Sequence, residues 1–247
     1  MLNKKLLSAS VAAALVAGMG AAQVQAADDF EVSGNIALTT DYRFRGISQS
    51  DEDVAVQGGF DAAFAPGFYV GVWGSSVDFG GGVYGSIEMD YYAGWAGNIG
   101  DTDFGIDVGY VYYDYPGDKG CCEGDYQEFY VGTSWRDLTL QLNYSDDYYA
   151  ETEEFWYLSA DYSFALPTLE ALTVGLHAGY NILDEDDGFL APGEDEYLDY
   201  SVSVSYSVFG VDLSLAWVGT DLDEDDVGSA TEELADDTAV FTISKSL

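Results

Sequence analysis

The chain has 247 residues, of which 45 are acidic and 7 basic, for a formal net charge of −38. So few cations exclude a nucleic-acid partner, which needs Lys and Arg to neutralise its phosphates. Hydrophobic residues at 48% exclude a disordered acidic chain, and 20 Tyr and 5 Trp suit a protein that holds rings at a membrane boundary.

Residues 1–26 read as a secretory signal peptide. Lys4 and Lys5 give a positive start, Leu6 to Ala22 an apolar and small-residue core, and Val24-Gln25-Ala26 the small residues a signal peptidase needs. Cleavage after Ala26 is the expectation, with 27–247 as one mature domain. Without Lys4 and Lys5, five basic residues face 45 acidic ones. No later stretch is apolar for about 18 residues, so any crossing of a membrane falls to a closed barrel, which leaves no backbone group unpaired in lipid.

From there to the end the chain alternates. Leu172-Val174-Leu176-Ala178-Tyr180 is an apolar row, and Thr173-Gly175-His177-Gly179-Asn181 lies between its members. A period of two means a strand with two unlike faces. Strands are predicted near 31–39, 54–65, 68–77, 86–97, 103–113, 126–135, 137–145, 154–165, 171–181, 197–208, 211–219 and 238–247. The connections alternate strictly. Pro66-Gly67, Asn98 to Thr102, Arg136-Asp137, Pro167 to Glu170 and Gly210 are hairpin turns. The segments 40–53, 78–85, 114–125, 146–153, 182–196 and 220–237 are longer and hold most of the carboxylates, including Asp184-Glu185-Asp186-Asp187.

Sorted in this way, the pattern predicts an all-β fold: a transmembrane antiparallel up-and-down β-barrel of about 12 strands, with short periplasmic turns and long acidic extracellular loops. A soluble β-sandwich shares the alternation with its apolar rows turned inward, but has no reason to sort its loops. Two aromatic girdles are expected. Phe64, Phe68, Trp95, Phe104, Trp135 and Phe164 sit beside short turns; Tyr112, Tyr148, Trp156, Tyr180, Tyr197 and Trp217 sit nearer long loops.

The most distinctive segment is Thr40-Asp41-Tyr42-Arg43-Phe44-Arg45-Gly46-Ile47-Ser48-Gln49, which holds two of the five mature basic residues. It resembles the hallmark of a family of TorF-like outer-membrane porins, long described as conserved hypothetical bacterial proteins. The likeness extends to the signal peptide, the strand layout and the length. The end of the chain, Ala239 to Leu247, resembles the C-terminal signal of outer-membrane proteins, although Leu247 and Lys245 stand where many members carry aromatics. The resemblance implies a bacterial outer-membrane barrel and a channel. It supplies no substrate.

On that reading the protein is a porin for passive passage of small solutes. The alternative is a non-conducting barrel whose acidic loops serve as an adhesin or structural surface. In an extended stretch Arg43 and Arg45 share one face. Turned into the lumen they oppose Glu88, Asp90, Asp107, Asp161 and Asp199, an arrangement that sets selectivity in pores, here for cations or neutral solutes. Alternatively, both arginines pair with loop carboxylates and pin the first loop. Expected partners are outer-membrane lipid, lipopolysaccharide and the barrel-assembly machinery.

No cofactor is expected beyond loose divalent-cation binding by the loops. Asp221, Asp223, Asp225 and Glu232 have an EF-hand-like spacing, but Asp226 stands where the turn needs Gly. Cys121-Cys122, adjacent in an exported chain, leave a vicinal disulfide or bonds to another chain, and the vicinal disulfide is the expectation. An enzyme is not expected. His177, the single histidine, lies mid-strand with no evident nucleophile.

Overall fold

Alternating side chains give every strand one apolar and one polar face, and a sheet of such strands can hide its edges only by closing. The computed structural model describes residues 30–79, 85–117, 124–167, 169–184, 195–223, 227 and 233–247. In chain order its strands are β1 (Phe30–Thr39), β2 (Arg43–Phe44), β3 (Ile47–Ser48), β4 (Ala55–Phe64), β5 (Phe68–Ser76), β6 (Ile87–Asn98) and β7 (Phe104–Asp114). They continue as β8 (Tyr126–Trp135), β9 (Leu138–Ser145), β10 (Phe155–Leu166), β11 (Leu169–Leu183), β12 (Glu196–Val208), β13 (Val211–Thr220) and β14 (Thr238–Ser246).

All but β2 and β3 form one closed antiparallel barrel of twelve strands, each paired with its neighbours in sequence. β1 seals it against β14, with Asn35 opposite Ser246 and Thr39 opposite Thr242. Each barrel strand matches a predicted one, with ends displaced by at most two residues. β2 and β3 were not predicted. They form a small hairpin inside the first long loop. The signal peptide, Cys121, Cys122, Asp225 and Glu232 lie outside the described residues.

A single closed sheet has only one place to bury a side chain, and that is inside. Leu198, Tyr200, Val202, Val204 and Tyr206 of β12 are exposed on the outer wall, while Asp199, Ser201 and Ser205 between them are buried. This polarity is the reverse of a water-soluble sandwich. On the outer wall, Phe64, Phe68, Phe104 and Trp135 are exposed near the short turns. Near the long loops, outward rings donate to carboxylates: Tyr200 Oη to Asp237 Oδ1 at 2.8 Å, Trp217 Nε1 to Asp237 Oδ2 at 3.2 Å and Trp156 Nε1 to Glu154 Oε1 at 3.1 Å. Tyr148 and Tyr197 depart from the expected girdle. Both are buried in the lumen, because their rings pack round the hairpin.

The lumen differs along its length. At the short-turn end, tyrosines lie over glycines of the next strand: Tyr92 over Gly71, Tyr69 over Gly94 and Tyr130 over Gly109. A Cβ at any of these glycines would strike the ring. The phenol ends meet acids. Tyr69 Oη donates to Asp107 Oδ1 at 2.6 Å and also touches the Tyr130 hydroxyl, and Tyr92 donates to Asp61. At the long-loop end Tyr157 likewise lies over Gly179, and other rings pack on one another. Tyr113 stacks on Tyr126 at 4.3 Å and Tyr148 on Phe155 at 4.0 Å.

Candidate functional site

The site is built on the first long loop, which turns back into the barrel instead of outward. Its tip, Phe44-Arg45-Gly46-Ile47, is a two-residue hairpin with φ of 50° at Arg45 and 83° at Gly46. Positive φ at both central residues is the geometry that tight β-hairpins favour. Gly46 serves a second need. A Cβ there would press on Thr220 and come within 3.1 Å of both Asp199 Cβ and Gly219 O, so only glycine lets the tip seat against β12 and β13.

Asp41 holds the base of the hairpin. Its carboxylate accepts from Ser48 Oγ at 2.7 Å, Ser50 Oγ at 3.3 Å and Arg43 Nε at 2.5 Å. Ser50 Oγ also accepts from the Tyr42 amide at 3.0 Å. Arg43 reaches the last long loop, donating from Nη1 to Leu234 O at 2.5 Å and Asp236 O at 3.1 Å, and from Nη2 to Glu52 Oε1 at 3.1 Å. The expectation that both arginines share one face therefore fails. The tight turn between them sends Arg43 toward loop groups and Arg45 toward the barrel wall.

Arg45 is the centre of the lumen plug. Its guanidinium forks onto Glu128 of β8, Nη1 to Oε1 and Nη2 to Oε2, both at 2.8 Å. Relative exposure is 4% for Arg45 and 0% for Glu128. Asn143 Nδ2 donates to Glu128 Oε2 at 2.8 Å, and Tyr197 Oη to Arg45 O at 3.2 Å. The guanidinium carbon lies 4.6 Å from the Phe44 and Phe155 ring centres and 4.3 Å from that of Tyr157, within cation–π range. Burial disfavours the Arg45 charge, but the facing Glu128 carboxylate outweighs it and holds the pKa well above the ordinary arginine value. Arg45 is thus a fixed cation, paired and stacked, across the long-loop half of the lumen.

Residues 23–247 match the model of a family described as "Bacterial protein of unknown function (Gcw_chp)". The chain belongs to this family. The match includes the hairpin segment and every barrel strand, in keeping with the resemblance seen in Asp41 to Gln49. No curated protein matches the chain significantly. Among solved structures, it is similar to one titled KdgM porin, with a TM-score of 0.51 at 12% identity over 87% of this chain and 97% of that one. A NanC porin structure gives a TM-score of 0.51 at 10% identity over 87% and 98%. At such identities the likeness is one of fold, a twelve-strand barrel in this Gcw_chp chain.

The other residues singled out from the sequence fall into separate groups. His177 of β11 stands between two of them, with Nδ1 at 2.7 Å from Asp161 Oδ1 and Nε2 at 2.8 Å from Asp199 Oδ1. Tyr157 Oη lies 3.0 Å from the same Nε2. Asp107 is near the short turns with Tyr69. Glu88 and Asp90 sit together on β6, under Tyr42. None of these carboxylates is the partner of Arg43 or Arg45 among the described contacts. Glu128, which is, was missed, although its place in the inward row Tyr126-Glu128-Tyr130 marks it as a buried acid. Asp221 Oδ1 accepts the Leu198 amide at 2.7 Å and so caps the end of β12. Among the described residues no three His, Cys, Asp or Glu side chains are gathered as a metal cluster.

Proposed function

We propose that the chain is an outer-membrane channel for small solutes, closed at its outer half by its own first loop. The observation that carries this reading is the barrel's polarity: a closed twelve-strand sheet with an apolar outer wall and a polar interior. Hydrocarbon accepts that outer wall, and complete pairing round the sheet leaves no edge in lipid. Rings that donate to loop carboxylates suit the headgroup level on the long-loop side. In this orientation the acidic loops face outward, toward lipopolysaccharide and divalent cations, and the short turns and termini face the periplasm. Insertion would fall to the barrel-assembly machinery.

Lumen carboxylates outnumber lumen cations, which favours cations or neutral solutes over anions. At His177 the two flanking carboxylates favour a lumen-lining histidine held by hydrogen bonds over a catalytic one. Planar bilayers test the channel. Wild-type protein should conduct rarely, and Glu128→Ala, which unlatches Arg45, should conduct often and with cation preference. Clear anion selectivity would overturn the preference. Insertion without current in either protein would overturn the channel itself. That outcome would leave the second reading, a non-conducting barrel that presents its acidic loops as a surface, which the filled outer lumen favours.

A further inference from the structure

Most buried charges in the lumen have a partner. Glu128 takes Arg45, Asp41 takes Arg43, Asp161 and Asp199 take His177, and Asp107 takes the Tyr69 hydroxyl. Glu88 and Asp90 are different. They stand two residues apart on β6 and therefore on one inward face, at 2% and 1% exposure, with their carboxyl groups against each other. Glu88 Oε1 accepts from Tyr42 Oη at 3.1 Å. Outside the pair itself, Glu88 Oε2 and both oxygens of Asp90 have no hydrogen-bond partner among the described residues. Ionised carboxylates left this way are strongly unfavourable, and such groups are met in proteins by a proton, a counter-charge or a metal.

We propose that Glu88 and Asp90 bind one divalent cation of the calcium class beneath the first-loop hairpin. The donors are all oxygen, with no sulfur and no imidazole among them, which selects a hard cation. Two carboxylates balance a charge of two. They supply up to four ligand oxygens, and waters complete the shell, as is usual for calcium. The surroundings are aromatic: Trp73 faces Asp90 across β5–β6, Tyr113 faces it across β6–β7, and Tyr42 packs on Trp73 at 5.6 Å. Tyr42 belongs to the loop that carries the plug. Its hydroxyl donates to Glu88 and so ties the loop to the site. The proposal does not depend on the lumen conducting current.

Terbium replaces calcium among oxygen ligands and emits when a neighbouring Trp or Tyr is excited, so the rings at this site report its occupancy. The mature barrel is refolded in detergent with terbium, and calcium is then titrated. The expected result is sensitised emission that calcium displaces, with affinity at least about tenfold weaker in Glu88→Gln/Asp90→Asn. Single Glu88→Gln and Asp90→Asn variants are read the same way should the double variant fail to assemble. Equal affinity in wild type and variants would place the ion on the acidic loops and overturn the site. Absence of emission from wild type would also overturn it, leaving a pair that shares a proton.

Discussion

On the same two strands, β7 and β8, the lumen is built in two ways. Near the long loops Tyr113 faces Tyr126, and the rings stack. Near the short turns Tyr130 faces Gly109, and the ring lies down on the wall where a side chain would have been. The residue type is the same, and the size of the cross-strand partner decides whether a tyrosine fills the bore or lines it. The filled half then offers what the lined half lacks, a buried aromatic socket in which Arg45 and Glu128 pair.

Removing one member of that pair should have the largest effect. Glu128→Ala leaves a buried guanidinium unanswered, and a loss of about 3–5 kcal/mol is expected in urea unfolding of the micelle-bound barrel. Adding Arg45→Ala should restore a good part of it, since no lone charge then remains. A double variant no better than the single would show that packing, not charge, holds the plug. Next comes Gly46→Val, which meets both the positive φ and the β12–β13 wall. A cost of about 1–3 kcal/mol is expected, together with protease cleavage in the released hairpin that wild type resists.

The lined half should respond more gently. Gly109→Val should lift the Tyr130 ring off the wall at a cost of about 1–3 kcal/mol. In the unlatched Glu128→Ala background it should also lower single-channel conductance, and unchanged conductance would mean that the short-turn half does not limit flow. The smallest effect is expected outside the lumen. Arg136 and Asp103 are 3.9 Å apart and both exposed, so Arg136→Ala should leave the unfolding midpoint where it is.

The barrel was legible because each strand has two unlike faces. Rows such as Val211-Leu213-Leu215-Trp217 against Asp212-Ser214-Ala216 carry a period of two that no loop can imitate, and the turns are written in Pro, Gly, Asn and Asp. The plug was only half legible. Arg43 and Arg45 stood out by charge in a chain so acidic, and Arg45-Gly46 between Phe44 and Ile47 is a turn signal in itself. Their partners did not stand out, because a carboxylate among 45 carries no mark of which arginine it meets. Glu128 lies 83 residues from Arg45 and is chosen by the curvature of the closed sheet, which no local pattern encodes.

The hairpin has a consequence in time as well. It follows β1 directly, yet its sockets are scattered through the remainder of the chain. Glu128, Tyr148 and Tyr197 come 83, 103 and 152 residues later, and Leu234 and Asp236 come 191 and 193 later. The stopper is therefore synthesised before its bottle exists. Contacts of such long sequence separation form late. Arg43 has its last anchors only after β13 is in place, just ahead of the strand that seals the sheet. A seated hairpin is thus a record that the chain is in place through Asp236, and an intermediate that ends before Leu234 would hold it loose.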